Sequence, residues 1–528
     1  MMAVKPENRK YSWAPRLKAW RDFGIVHILA VISMASLCSA VSIKDAEAIP
    51  AFARKHNLIC NACHTRQPRL NIYGQRFMEN GYQLPGTTEG GRKAKDFLGN
   101  AINGVSLDRL GNYMAVRIRG DIQKPEFAVG DDTEAEDAVE IIFPSVVNLF
   151  IAATIFENIS VFAEGEYATR GMEDPAMRFE RTYMTFNNLT SSQALNIKVG
   201  EFDPSALYSF PTHRQMINPV TAVAETNKYL PKIDRIPLFP LAFAAKMFGL
   251  SRGPGYAGVE TPGGSAKSSI DPAQLKDGFS ILPFEAFLFN APVQTGMAIY
   301  GRPSGNRFLY QIGVTENKTA EDVAATRWDS YIMLRYDLQR QYSNLQLSAF
   351  YYTAPKAARP VVRLNDVLYY SNNAVDWLRT GIAARWQYKA WDIYGTLIWD
   401  KIDEPDYSGN TALQGGASSW DTDAMGVSVE ADYLLTEKWL LGARYDLMDA
   451  GGLLRGSTTM AAWDEDLAQD TSFLALIGKY YLAPNIGLYA RYHHNVKSGQ
   501  KLPTATGGAE HPARNLRSMF LFGVDMAF

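Results

Sequence analysis

Long apolar runs are almost missing from this chain of 528 residues. The mean hydropathy is -0.18, and only residues 23–41 approach the length of about 18 apolar residues that a spanning helix needs. A helical multi-span transporter is thereby excluded. A marked charge excess is missing too, with 53 basic against 55 acidic side chains, so nothing suggests nucleic-acid binding. Cysteine is scarce, at three residues. Compositional bias is also absent: 47% hydrophobic and 20% charged residues exclude a disordered or collagen-like polymer. The length admits either about three ordinary domains or one large all-β unit.

The first 48 residues read as a targeting segment. Lys5, Arg9, Lys10, Arg16, Lys18 and Arg21 form a basic region ahead of the apolar stretch, and Ala46-Glu47-Ala48 is a small-x-small cleavage site before Ile49. A single uncleaved anchor helix is the rival reading. Cys38 does not indicate a lipoprotein signal, because Leu37 stands where a small residue belongs. After cleavage the chain keeps 46 basic and 51 acidic residues, a net charge near -5.

The two remaining cysteines stand in Cys60-Asn61-Ala62-Cys63-His64, the spacing of covalent c-type haem attachment. Two thioethers fix the edge of the macrocycle, and the next residue, His64, places an imidazole nitrogen on the iron. A disulfide or half of a zinc site leaves His64 unexplained, and no second cysteine pair exists for zinc. The expected cofactor is therefore one covalent haem c. For the second axial position two residues compete: Met78, whose thioether would raise the haem potential, and His56, whose imidazole would lower it. The position could also stay open or be filled from the barrel. Residues 49–86 form the cytochrome segment, too small to bury a haem alone, so the rest of the chain should supply the packing surface. Residues 87–111 read as a connector.

Residues 112–528 have a different character. Segments of about ten residues alternate apolar and polar with period two, the signature of a transmembrane β-strand. In 427–433 the odd positions are apolar and the even ones polar; Leu441, Ala443, Tyr445 and Leu447 alternate with Arg444 and Asp446. Sixteen strands are predicted: 112–122, 147–154, 158–168, 178–188, 193–202, 293–302, 307–316, 328–338, 343–353, 376–387, 390–400, 423–434, 438–448, 471–482, 485–495 and 516–528. Short links alternate with mostly long ones, including 123–146, 203–292, 354–375 and 401–422, as tight periplasmic turns and extended outer loops require. Trp386, Tyr388, Trp391, Tyr394 and Trp399 are expected in aromatic belts. The last strand carries Ser518, Phe520, Phe522, Val524, Met526 and Phe528 on one face and Gly523 and Asp525 on the other. The fold class is thus all-β, a transmembrane antiparallel barrel of about sixteen strands with a small N-terminal helical segment as plug.

Ala51-Phe52-Ala53-Arg54, the Cys60 to His64 motif, Pro68, Gly74, Arg76-Phe77 and Gly81-Tyr82, followed by such a barrel, resemble the outer-membrane monohaem cytochrome-porin fusions of iron-oxidising bacteria. Residues 49–86 carry the match; the barrel matches in architecture. The resemblance implies an iron oxidase in which a haem held by Cys60, Cys63 and His64 takes electrons from extracellular Fe(II) and passes them to a periplasmic cytochrome or other soluble carrier. Long segment 203–292 contains no motif that matches the family.

Elementary chemistry reaches part of this independently. Fe(II) oxidation by electron transfer needs only a placed redox centre of suitable potential, and oxidation outside keeps insoluble Fe(III) out of the periplasm. Hard oxygen donors in the run Asp131, Asp132, Glu134, Glu136 and Asp137 could contact iron, although a solvated loop is the plainer explanation. His213, His493, His494 and His511 could bind metal or be ordinary loop and surface histidines. Two other functions use the same parts: a porin with a structural or sensory haem, and an exporter that reduces extracellular acceptors.

Overall fold

The computed structural model describes residues 51–84, 112–127, 139–156, 158–168, 177–190, 193–202, 294–303, 307–317, 327–358, 361–364, 367–370, 375–402, 423–449, 471–497 and 516–528. Residues 1–50, expected to include the targeting segment, residues 85–111, expected to hold the connector, link 203–293 and most other long links lie outside these residues. Residues from Ala48 onward form one compact unit.

Sixteen strands of the described residues close a barrel. In chain order they are β3 (Met114–Phe127), β4 (Glu140–Phe156), β5 (Ile159–Ala168), β6 (Met177–Phe186), β7 (Asn196–Phe202), β8 (Gln294–Gly301), β9 (Phe308–Asn317), β10 (Arg327–Arg340) and β11 (Ser343–Ala358). They continue with β14 (Val375–Tyr388), β15 (Trp391–Ile402), β16 (Asp423–Leu434), β17 (Trp439–Asp449), β18 (Thr471–Ala483), β19 (Ile486–Lys497) and β20 (Leu516–Ala527). Each pairs antiparallel with the next, and β20 pairs with β3, where the Phe528 amide donates to the Val116 carbonyl at 2.8 Å. Closure leaves no unpaired edge, which hydrocarbon does not tolerate.

Every strand predicted from alternation is present. The physical reason is visible on β16 and β17: Ser428, Glu430, Asp432, Arg444 and Asp446 are buried facing inward, while Val429, Leu441 and Tyr445 are exposed outward. Such a wall is apolar toward lipid and charged toward its interior, the arrangement of a membrane barrel. Inward charges are paired. Arg117 and Lys479 hold Asp525 at 2.8 and 3.1 Å, Arg385 holds Asp392 at 2.6 Å, and Arg444 holds Asp446 at 2.7 Å.

Trp386 stacks on Tyr388, Trp391 meets Tyr433 with ring centroids 4.7 Å apart, and Trp439 meets Tyr480 at 4.8 Å. All six flank short turns, so the belt marks that rim. Two expectations are corrected. Tyr394 does not belong to the belt; it points inward and is buried, because it shares the even parity of Asp392 on β15. Link 354–375 is not all loop: β12 (Val361–Leu364) pairs with β13 (Val367–Tyr370) in a separate hairpin.

Before the barrel come α1 (Ala51–His56), α2 (Cys60–Cys63), β1 (His64–Arg66), β2 (Arg69–Leu70) and α3 (Ile72–Glu79). Asn57 takes a left-handed φ of 53° and ends α1, letting the Leu58 amide donate back to the Ala53 carbonyl at 3.0 Å. Phe77 and Tyr82 pack with Ala152 of β4 in one buried cluster, with Phe52, Met78, Leu84 and Phe162 against it.

Candidate functional site

The Cys60 to His64 motif forms one helical turn followed directly by a strand. Cys60 and Cys63 bracket α2 and are both unpaired thiols, half-buried. Burial raises the pKa of each, with the neighbouring Cys60 adding to the effect at Cys63, which is pushed up to about 11. Both are therefore protonated at neutral pH. His64 opens β1, and burial lowers its pKa below 6.5, which keeps the imidazole neutral and fit for a metal. Backbone hydrogen bonding from the imidazole to Pro68 and Arg69 works against that lowering but does not outweigh burial.

Asn71 holds the turn in shape. Its amide donates to the Cys63 carbonyl at 2.9 Å, and its Nδ2 donates to the carbonyls of Asn61 and Ala62 at 3.2 and 3.0 Å. Its Oδ1 accepts from the Gly74 amide at 2.9 Å, which caps α3. One asparagine thus joins the start of α3 to the motif. Gly74 is required by the same contact, since a Cβ there would overlap the Cys63 carbonyl oxygen.

Ile59, next to Cys60, is 76% exposed, and Tyr73, close enough to Cys63 to interact with it, is 39% exposed. Two unpaired thiols, a neutral imidazole steadied by the backbone of Pro68 and Arg69, and an uncovered apolar margin fit a covalently attached haem. His56 and Met78 meet at one place: His56 packs edge-on to Phe77 at 5.5 Å between centroids, and Met78 packs against the Phe77 and Tyr82 cluster. The same apolar cluster thus carries both an imidazole and a thioether.

Residues 51–84 sit inside the short-turn end of the barrel and touch its wall on many sides. Arg69, 2% exposed, reaches β15 and β16, with Glu430 at 2.7 Å, Asp392 at 3.2 Å, Asp432 in direct contact and the Tyr394 hydroxyl at 3.2 Å. The Leu70 carbonyl accepts from Arg385 at 2.9 Å, and the Gln67 carbonyl accepts from Lys479 and Tyr481 at 3.1 and 2.9 Å. Arg66 donates to the Glu437 carbonyl at 3.0 Å and to Asn61 at 3.1 Å.

On α3 the charge is reversed. Glu79 lies between Arg302 at 2.7 Å and Arg335 in direct contact, while Gln75 accepts from Gln346 of β11 at 2.8 Å. Burial opposes ionisation of Glu79, yet the two arginines outweigh it and hold its pKa below 4.5. Gly81 and Tyr82 have left-handed φ values of 67° and 61°, turning the chain against the wall where a Cβ on Gly81 would overlap the Asn187 side chain. Tyr82 then stacks on Phe162 with centroids 5.3 Å apart and shares a 2.8 Å hydrogen bond with Tyr183.

Residue spacing alone does not identify Asn71, Arg69 or Glu79 as site residues; only the capping position of Asn71 before an amphipathic stretch signals a role. Among the described residues no group of three or more His, Cys, Asp or Glu side chains is placed to hold a metal ion. His493 and His494 of β19 project to opposite faces, His493 buried inward and His494 beside Tyr492, so they do not converge. The acidic run 131–137, His213 and His511 lie outside the described residues.

The sequence matches no protein-family profile and no curated protein. Among solved structures it is similar to outer-membrane expressed OmpT of Vibrio cholerae, at 10% identity and a TM-score of 0.42 over 79% of this chain and 97% of that one. An anion-selective porin from Comamonas acidovorans gives 11% identity and 0.40 over 79% and 98%. The outer membrane channel DcaP of Acinetobacter baumannii gives 10% and 0.41 over 79% and 96%. The assignment itself stands on the strand pairing: a closed sixteen-stranded barrel, apolar outside and charged inside, with short turns at one rim, is a bacterial outer-membrane protein.

Proposed function

We propose that this chain is an outer-membrane electron-transfer protein carrying one covalent haem c, which oxidises extracellular Fe(II) and delivers electrons to a soluble periplasmic carrier. The observation that supports it is the turn from Cys60 to His64, with unpaired thiols, seated inside the short-turn mouth of the barrel. Haem bound there supplies one-electron chemistry of its iron. Cys60 and Cys63 would hold the group by thioethers, His64 would offer a nitrogen to its iron, and His56 or Met78 would be the candidate for a second donor. Asn71 keeps the motif in the attachment conformation, while Arg69 and Glu79 fix the segment against the wall. The resemblance noted in residues 51–82 adds the donor, Fe(II).

A segment that bonds to the wall at β6, β10, β11, β14, β15, β16 and β18 narrows the bore, which favours electron passage over passive diffusion as the main activity. A pyridine haemochrome assay tests the cofactor. Stopped-flow mixing of the oxidised protein with Fe(II), and of the reduced protein with Fe(III), tests the reaction and its direction. Rapid haem reduction by Fe(II) is expected; an inert haem in a conducting channel sinks the reading in favour of a porin.

A further inference from the structure

The short-turn rim has a one-sided charge that the seating of the N-terminal segment does not use. Four successive short turns, those joining β8 to β9, β10 to β11, β14 to β15 and β16 to β17, each carry an exposed basic residue: Arg307, Arg340, Lys389 and Lys438. They are neighbours around the rim. The Arg307 carbonyl accepts from the Asp337 amide at 2.7 Å, three residues before Arg340. Arg340 is registered against Ser343, which faces Tyr388, the residue before Lys389. The Ala390 carbonyl in turn accepts from Leu434 at 2.9 Å, at the start of the turn that holds Lys438. Among the described residues of these four turns the acidic side chain is Glu437; on the rest of the rim, turns 187–195 and 484–485 carry no charge in the sequence and the turn between β4 and β5 carries the acidic Glu157.

The haem-attachment motif lies on the same side. Thr65, Arg66, Arg69 and Leu70 bond to β14, β15, β16 and the turn of Glu437 and Lys438. Arg66 bridges the two, with one nitrogen on Asn61 inside the motif and the other on the Glu437 carbonyl.

From this placement we infer that the arc Arg307, Arg340, Lys389 and Lys438, extended inward by Arg66, is the docking surface for an acidic soluble one-electron carrier. The inference rests on the proposed haem function and names its periplasmic partner by charge. Complementary charge speeds encounter and sets orientation more than it adds affinity, which suits a carrier that must dock and leave. Phospholipid headgroups compete as an explanation, because Lys389 lies over the outward Tyr388 ring at 5.2 Å. Arg66 argues against them, being inside the bore and bonded to the motif, where lipid does not reach.

The test uses the full-length protein in nanodiscs and two probe proteins of similar potential and opposite charge: acidic plastocyanin and basic mitochondrial cytochrome c. The triple variant Arg340→Gln, Lys389→Asn and Lys438→Gln alters exposed residues at the rim only, with Asn chosen because position 389 has a left-handed φ of 51°. Surface plasmon resonance should show plastocyanin binding that weakens with salt and falls about tenfold in the variant, with no loss of cytochrome c binding. Electron exchange with plastocyanin should slow in parallel. Plastocyanin binding that ignores both salt and the triple variant overturns the inference. So does a variant that keeps binding and loses resistance to heat in phospholipid, which would assign the arc to lipid. Binding is read without haem, so a blank haemochrome result counts against the proposed function and leaves the docking measurement decisive for the arc.

Discussion

The guanidinium of Arg69 lies 2.7 Å from the carboxylate of Glu430, although 361 positions of sequence separate them. The same guanidinium contacts Asp392 and Asp432, so one cation from the N-terminal segment serves three carboxylates of the wall. Arg69→Ala leaves those carboxylates with Arg385 and Arg444 alone. Removing one partner of a buried pair costs about 3–5 kcal/mol. Limited proteolysis read by mass spectrometry should find residues 51–84 cleaved faster in the variant while the barrel persists; equal protection would mean that Arg69 does not hold the segment.

Replacing Cys60 and Cys63 together by Ala, or His64 by Gly, should abolish covalent haem staining and leave a barrel that still migrates as a folded species in unheated gels. The motif contributes no strand to the wall, which is why the two readouts separate.

Gly74→Ala places a methyl group against the Cys63 carbonyl oxygen, and the overlap should cost about 1–3 kcal/mol of local stability. Lower haem attachment per barrel is expected, by the ratio of haem absorbance to protein. Asn71→Ala should act similarly by releasing the carbonyls of Asn61 and Ala62. Undiminished attachment in both variants would remove the clamp from the account.

The distal donor is open to a direct comparison. If Met78 ligates, Met78→Leu lowers the midpoint potential and removes the thioether charge-transfer band of the ferric protein, while His56→Leu leaves both unchanged. The opposite pattern assigns the position to His56, and no change in either variant excludes both.

Glu79 should make the seating of the segment depend on pH. Its folded pKa lies below the ordinary 4.5, so the stabilisation it gives is present above that value and is lost as pH falls through the folded pKa. Glu79→Gln should therefore speed protease release of residues 51–84 near neutral pH and converge with the wild type in strong acid. A difference that grows as pH falls would contradict the pairing with Arg302 and Arg335.

What is legible in the sequence follows from local periodicity. Alternation with period two needs no partner to be read, and β16 and β17 show why: each even position must find a wet, charged interior and each odd one a lipid face. The candidate attachment motif is legible for the same reason, since Cys60, Cys63 and His64 lie within five residues of one another. Arg69 and Glu79 are not, because their partners are 361 and 223 residues away and pair only after closure. Tyr394 misleads because an aromatic near a strand end looks the same on either parity; its inward side is set by register with Asp392. The β12 and β13 hairpin is hidden inside a link whose short apolar runs are not long enough to cross a bilayer.

The pairing of β20 with β3 carries a consequence for how the molecule is made. The hoop is completed by β20, the last wall strand in chain order, around a segment that precedes every wall strand. A chain shortened by that one strand would expose bare backbone along β3 and β19 to hydrocarbon, an open seam no side chain can mend. Enclosure of the passenger segment is therefore decided by the strand farthest from it in chain order.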